Sequence, residues 1–455
     1  MKPDKTWKAI LRCRPATSSW CRSGVCSNNQ LSAPRPPPVK RIILAVLVGL
    51  GAVPVHATDW ALNSTLTENV EVNDNPYLRA VVAGAFDSYS NIAANAVAKT
   101  PDSKFNFDGD INYRKYWGPG AADAPTESMG GDAKLHYENY GKNSADRTYL
   151  DAGWTRQSTA FALLGQLGLV TNSQGFIDNT SLSGGVDHAI TNLDTISLSG
   201  RSSYTSYDPG GGGTTFVDSG ATGSWRHRVN SQTTFSASSD VEELSYNNTL
   251  NSSVTMLKEN LGVDATLSPL LIFSGTAGVA YVKTDNGSPA ISLASLSPNA
   301  SSSGSAADFI TNMVLTYKMY PDTTITFNGI QSISPSLVGS LMETTSVGAS
   351  VNYTVNSKET LSFGTNGSRT TSSGTTSDYM STSVTYGYLF TREWSAQLTY
   401  RYMHRFADSG TAASGLVIDP VTGIPVPTSS ALGAANSNSI MLVVSRSVSV
   451  LPDGY

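Results

Sequence analysis

Ionisable side chains are scarce in this chain of 455 residues. Asp, Glu, Lys and Arg together make up 14%, against about a quarter in ordinary soluble proteins. Positive charge is the scarcer sign, with 30 Lys and Arg against 35 Asp and Glu and a formal net charge of −5. That balance excludes a basic nucleic-acid binder. Long hydrophobic runs are also lacking: mean hydropathy is −0.15, and only one segment is conspicuously apolar. A bundle of membrane helices, each needing about 20 consecutive apolar residues, is therefore excluded. What is abundant is Ser, Thr, Asn, Gly and Tyr, the composition of exposed β-structure. With 20 Tyr and 13 Phe, the chain carries too many aromatics to be disordered.

The apolar segment runs from Ile42 to Val53, with Lys40 and Arg41 before it and Val55-His56-Ala57 after it. A basic start, a short apolar run and a small-x-small ending read as a secretory signal peptide over 40–57, removed after Ala57. The segment is too short for a transmembrane anchor, and its flanks disfavour a buried core helix. Residues 1–39, rich in Arg, Pro and Ser, form an unusual extension that we read as a misassigned start. Val39, just before Lys40, would then be a GTG initiation codon, and N-terminal sequencing that found Met1 on the precursor would refute this. The three cysteines, Cys13, Cys21 and Cys26, all precede the cut. The exported part, 58–455, thus has no thiol for disulfides, metal ligation or nucleophilic catalysis. Nine of the basic residues and the acid Asp4 also leave, so 21 Lys and Arg face 34 acids, a net −13. The exported chain is acidic.

From residue 58 onward the dominant pattern is alternation with a period of two over runs of about ten residues, the mark of strands with unlike faces. In 394–406, Trp394, Ala396, Leu398, Tyr400, Tyr402 and Phe406 share one face, and Ser395, Gln397, Thr399, Arg401 and Arg405 share the other. Phe105, Phe107, Gly109, Ile111 and Tyr113 alternate in the same way with Asn106, Asp108, Asp110, Asn112 and Arg114. Val347, Ala349, Val351 and Tyr353 stand against Ser346, Gly348, Ser350 and Asn352. No stretch keeps a helical period for long.

Short polar breaks recur at Pro101-Asp102, Lys142-Asn143, Asn192-Leu193, Asn230-Ser231, Ser268-Pro269, Pro321-Asp322, Asn356-Ser357 and Thr391-Arg392. Longer connections lie between them, at 117–130, 158–180, 207–213, 285–306 and 407–438. These eight short turns join sixteen strands. A first strand at 60–72 and a last at 439–450 raise the expected count to eighteen, with sixteen as the alternative. Such a chain is predicted to be all-β: a transmembrane antiparallel up-and-down β-barrel over 58–455, with short periplasmic turns and longer extracellular loops. Closure is compulsory there, because an open edge in hydrocarbon leaves N–H and C=O groups unpaired at several kcal/mol each. Trp60, Trp154, Trp394, Tyr113, Tyr353 and Phe390 fall near strand ends, where interfacial aromatic girdles form. Soluble alternatives fit less well. A β-solenoid should repeat every 20–30 residues or so, and a sandwich of this size would need several domains, which no linker separates.

A resemblance enters at the fifth strand. Trp154-Thr-Arg-Gln-Ser-Thr159, Leu163-Leu-Gly-Gln-Leu-Gly-Leu-Val170, Thr180-Ser-Leu-Ser183 and Asp194-Thr-Ile-Ser-Leu-Ser-Gly200 resemble a family of outer-membrane β-barrel porins encoded beside exopolysaccharide export systems in Gram-negative bacteria. The opening Trp60-Ala-Leu62, Leu66-Thr-Glu68 and Asn73-Asp-Asn75 is similar to the start of that family. The likeness is best over about 60–230 and continues as generic strand-turn-strand. It implies the outer membrane as location, outer-membrane lipid as surroundings, and polysaccharide and export-complex proteins as partners. One departure is visible. Such barrels usually end their last strand on an aromatic residue, commonly Phe, whereas 439–450 is followed here by Leu-Pro-Asp-Gly-Tyr455.

Alternation assigns Arg114, Lys134, His136, Glu138, Arg201, Asp240, Glu242, Lys318, Arg401 and Arg405 to the inner face as pore-lining candidates. Inside a barrel such charges tune selectivity, whereas facing lipid at midplane an Arg or Lys would cost about 2–4 kcal/mol. The plainer alternative is that they only pair with one another in a hydrated, plugged lumen. Arg226-His227-Arg228, just before a short turn, reads as a periplasmic rim, and Asp208-Pro-Gly-Gly-Gly-Gly213 as an outer loop tip, since it lacks the Lys-Ser/Thr of a phosphate loop. No cofactor motif or metal-ligand spacing stands out. After residue 57 the chain has only His136, His188, His227 and His404, without a nucleophile motif beside them, so no enzyme is expected. The connections 158–180 and 407–438 are the candidates for a constriction or plug. A polysaccharide conduit, a general diffusion porin and a closed scaffold barrel remain the three functional readings.

Overall fold

Alternating side chains commit each strand to two unlike surfaces, so the strands are stable only where one surface meets lipid and the other water. The computed structural model describes residues 59–76, 78, 82–119, 127–141, 146–159, 175–208, 214–247, 252–285, 304–335, 341–372, 375–407, 416–418, 425–427 and 434–451. In chain order the strands are β1 (Asp59–Asn73), β2 (Ala85–Lys99), β3 (Ser103–Trp117), β4 (Glu127–Tyr140), β5 (Asp146–Ser158), β6 (Phe176–Ala189) and β7 (Asp194–Tyr207). They continue with β8 (Phe216–Arg228), β9 (Thr233–Tyr246), β10 (Ser253–Ser268), β11 (Leu271–Asp285), β12 (Gly304–Tyr320) and β13 (Thr323–Pro335). The remainder are β14 (Leu341–Asn356), β15 (Glu359–Ser372), β16 (Thr375–Leu389), β17 (Trp394–Arg405), β18 (Leu416–Ile418), β19 (Pro425–Pro427) and β20 (Ala435–Leu451). β18 and β19 pair only with each other.

The other eighteen strands form one sheet. Each pairs antiparallel with its sequence neighbour, β17 pairs with β20, and β20 pairs with β1 from Asn73↔Ser439 to Leu62↔Leu451. The last contact closes the ring and leaves no edge, as hydrocarbon demands. The chain is therefore an eighteen-stranded antiparallel transmembrane β-barrel.

All eight expected short turns fall at junctions of the observed strands, with Ser268 and Asn356 the last residues of β10 and β14, and β1 and β20 open and close the ring near the expected limits. The other end departs from expectation in its boundaries. Residues 127–130, 176–180, 304–306 and 435–438, assigned to loops from the sequence, belong to β4, β6, β12 and β20. The cause is physical: strands extend beyond the hydrocarbon on this side, where an outward residue such as Asn436 or Asn438 can be polar and the alternation fades. Nor are all connections there long, since β15 and β16 are separated only by 373–374. The expected signal peptide, the misassigned start and Tyr455 lie outside the described residues.

Cross-strand rows show the two faces one residue apart. Ile325, Val351, Phe363 and Val384 form an outward row across β13–β16. The adjacent row, Thr326, Ser350, Gly364 and Ser383, faces inward. Outward residues include Leu261 at 71% exposed and Ile92, Ile111, Leu198 and Val279, the surface expected to meet lipid. Trp60, Trp225 and Trp394 lie toward the short-turn end, the position of an interfacial girdle. At the loop end, outward charges are paired: Lys115 with Glu127 at 2.6 Å, Arg156 with Asp178 and Asp208 at 2.7 Å each, and Arg369 with Asp378 at 2.8 Å.

Candidate functional site: the inner wall

The polar face of the sheet is the only surface on which the charged candidates can meet, and register gathers them into three clusters. The first joins β1, β2, β3 and β17 near the loop end. Glu71 and Asp87, each 4% exposed, lie between two guanidinium groups. Arg114 donates to Asp87 and sits 3.8 Å from Glu71, while Arg401 reaches Glu71 at 2.7 Å. Charge-assisted contacts of this kind are what make two buried carboxylates tolerable. Beyond β1 the chain folds over this cluster. Asn75 donates to the Asn436 carbonyl at 2.8 Å, its backbone N–H donates to Asn73 Oδ1, and Leu78, with φ +48°, is buried. Leu78 and Pro76 thereby line the same recess as Glu71, Asp87, Arg114 and Arg401.

A second cluster lies on β4–β6, nearer the short turns. His136 Nδ1 meets Asp151 at 2.5 Å and Nε2 meets Glu138 at 2.8 Å. Arg147 bridges Glu138 at 3.3 Å and Asp187 at 2.7 Å, and Tyr140 donates to Glu138. With both ring nitrogens of His136 on carboxylates, neither is placed to take a proton from a hydroxyl nucleophile, as acyl-transfer chemistry would require.

The third cluster occupies mid-wall on β7–β10. Arg201 makes two bonds to Asp240, at 2.6 and 3.0 Å, and a third to Glu242 at 2.9 Å. Lys258 also binds Glu242 at 2.5 Å, and Thr222 donates to Asp240 at 2.5 Å. The flat guanidinium fork holds two carboxylates in a fixed geometry that the point charge of a Lys does not impose.

The wall of β13–β16 is different. At the inward register positions stand Thr324, Asn352, Ser362 and Thr385 in one row, then Thr326, Ser350, Gly364 and Ser383, then Asn328, Gly348, Asn366 and Ser381. The rows nearer the loops add Ile330, Ser346, Ser368 and Tyr379, then Ser332, Thr344, Thr370 and Ser377. Among the described residues no charged side chain takes an inward position on these four strands. Gly348 has a steric reason: a Cβ there would stand 2.6 Å from Asn328 Oδ1 and 3.2 Å from Asn366 Nδ2, so the two amides close over the glycine.

All ten sequence candidates occupy inward register positions. Arg114 and Arg401 belong to the first cluster, His136 and Glu138 to the second, and Arg201, Asp240 and Glu242 to the third. Three stand apart. Lys134, well exposed, pairs with Asp132 at 3.2 Å, Lys318 sits at the short-turn end of β12, and Arg405 is 1% exposed at the end of β17. Sequence reading missed Glu71, Asp87, Arg147, Asp151, Asp187 and Lys258, although each has the parity of its polar neighbours. It missed the neutral wall as well, whose signal is Ser, Thr or Asn at nearly every second residue from 344 to 385. His227 of the basic triplet points outward, 2.8 Å from Asp194 and stacked on Trp225, while Arg226 and Arg228 alternate to the inner side beside the short turn. Asp208 belongs to the outer ion pairs, and 209–213 lie outside the described residues.

Comparison with known proteins adds little to this. No family model matches the chain, and no curated protein sequence matches it. Among solved structures it is similar to a mutant of the ferric enterobactin receptor PfeA from Pseudomonas aeruginosa, with a TM-score of 0.45 and 9% identity over 85% of this chain and 80% of that one. Acinetobacter baumannii OccAB2 gives a TM-score of 0.44 and 9% identity over 86% and 98%. Pseudomonas aeruginosa OccK8 (OprE) gives 0.44 and 8% over 86% and 98%. The barrel assignment rests on the chain's own closure and its two faces.

Proposed function

We propose that this chain is an outer-membrane pore or conduit for hydrophilic solutes, engaged in polysaccharide export. The observation that carries the pore reading is a closed ring of eighteen strands whose inner face is mostly polar, with many of its charges set in ion pairs, apart from a buried apolar cluster that includes Phe216, Leu244, Met256 and Val282 toward the loop end of β8–β12. A barrel that served only as an anchor would have no use for a hydroxyl-rich surface four strands wide. The polysaccharide link comes from the resemblance of 60–230 to the porins described above. Full-length protein, expressed in a Gram-negative host and purified from its outer membrane, should give stable ion channels in planar bilayers. Folded protein that inserts without conducting would leave the scaffold reading. Deleting the gene should lower secreted polymer, and normal secretion would leave a general diffusion porin, a role that the mixed-sign wall also suits.

A further inference from the structure

The inner walls of β13–β16 and of β4–β7 lie nine strands apart in the ring of eighteen, on opposite sides of the lumen. On the second side and its neighbours up to β10, eight inward acids, Asp132, Glu138, Asp151, Asp187, Asp218, Asp240, Glu242 and Asp264, face six permanent cations, Lys134, Arg147, Arg201, Arg226, Arg228 and Lys258. Glu138, Asp187, Asp240 and Glu242 are committed to Arg147, Arg201 and Lys258, and the arc carries a surplus of two negative charges. On the first side every Ser, Thr and Asn can both donate and accept. A ligand with a hydroxyl on most of its carbons has the same dual character. Each bond it breaks on moving is replaced by an equivalent one on the next row, so passage along the wall meets no deep trap. An anionic ligand finds no counter-charge there and repulsion opposite.

We propose that the inner wall of β13–β16 is a contact track for an uncharged polyhydroxylated ligand of the carbohydrate class, and that the acidic arc facing it disfavours anionic ones. This rests on the pore reading and not on the link to polymer export. The test uses full-length protein in planar bilayers, with maltohexaose as the neutral probe and a galacturonate hexamer as the anionic probe. Maltohexaose should interrupt the current from either side, and the galacturonate should do so far less. Removing three hydroxyls with Ser350→Ala, Ser381→Ala and Ser383→Ala should shorten the neutral blockades about fivefold or more, since one net hydrogen bond corresponds to roughly that factor. Ser383→Ala alone provides a milder change should the triple variant assemble poorly, and outward-facing Thr365→Ala should leave the blockades as they were. Equal block by both probes, or blockades indifferent to all the serine changes, would overturn the track while leaving the pore intact. Failure to conduct at all would overturn both.

Discussion

Two arcs of one sheet, built with the same strand geometry and the same alternation, solve the inner wall in opposite ways. Across β3–β10 the lumen face carries ion pairs, most of them between strands: Arg201 on β7 is held by Asp240 and Glu242 on β9, and Arg147 on β5 by Glu138 on β4 and Asp187 on β6. Across β13–β16 the inner face is neutral, and its bonds are short-range and interchangeable, such as Thr385 with Thr399 of β17. Coupling differs accordingly. In the charged arc removal of one partner strands another, while in the neutral arc a missing hydroxyl is replaced by water at little cost.

That contrast presupposes that both arcs face the lumen, and the largest expected effect tests this. Val351 lies in the outward row with Ile325 and Phe363, and Ser350, one residue earlier, lies in the inward row with Thr326. Val351→Arg should destabilise the barrel by about 2–3 kcal/mol, since the cost of a lipid-facing Arg, about 2–4 kcal/mol at midplane, falls toward the interface that Tyr353 marks. Ser350→Arg should stay within about 0.5 kcal/mol, as for an exposed substitution. Urea unfolding in phospholipid vesicles measures both. Equal costs would mean that the assignment of faces is wrong and that the comparison of arcs fails with it.

The next effect separates the arcs themselves. Arg201→Met removes the partner of two carboxylates that are 8% and 4% exposed. Breaking a fully buried pair costs about 3–5 kcal/mol. Arg201 itself is about a third exposed, so solvent screening reduces the expectation to about 1–3 kcal/mol. The lumen also becomes more negative, and the reversal potential in a KCl gradient should move toward cation preference. Adding Asp240→Asn should recover part of the stability, because the stranded charge is then gone. A single-mutant loss that the second substitution leaves unchanged would argue that Arg201 acts through packing.

How much of this was legible in the sequence follows from what alternation can and cannot encode. Period two placed the strands, and Pro101-Asp102, Pro321-Asp322 and their equivalents placed every short turn. It also gave the face of each charged candidate, because parity is a local property. It could not say that Arg114 meets Asp87 or that Arg401 meets Glu71, 330 residues away, since that contact exists only once β20 has closed the ring against β1. Strand ends above the hydrocarbon, such as 435–438, escaped because lipid no longer enforces apolar residues there. The neutral wall escaped for another reason. Ser and Thr at alternate positions read as filler until four neighbouring strands are seen to carry the same pattern in register.

The smallest expected effect compares one deletion in both arcs. Thr222 on β8 donates to the Asp240 carboxylate at 2.5 Å, whereas Thr385 on β16 meets the Thr399 hydroxyl at 2.9 Å. Hydrogen bonds to a charged group contribute about 1.5–3 kcal/mol and neutral ones about 0.5–1.5. Both sites border the lumen, so water takes up part of each loss. Thr222→Val should then cost about 1 kcal/mol and Thr385→Val less than about 0.5 kcal/mol. The isosteric change keeps volume constant and isolates the hydroxyl. Paired urea titrations resolve such a difference only when the two variants share one slope, which their common barrel provides. A larger loss at Thr385 than at Thr222 would mean that the neutral wall is cooperatively bonded after all, and a wall of that kind could not exchange its bonds freely with a passing ligand.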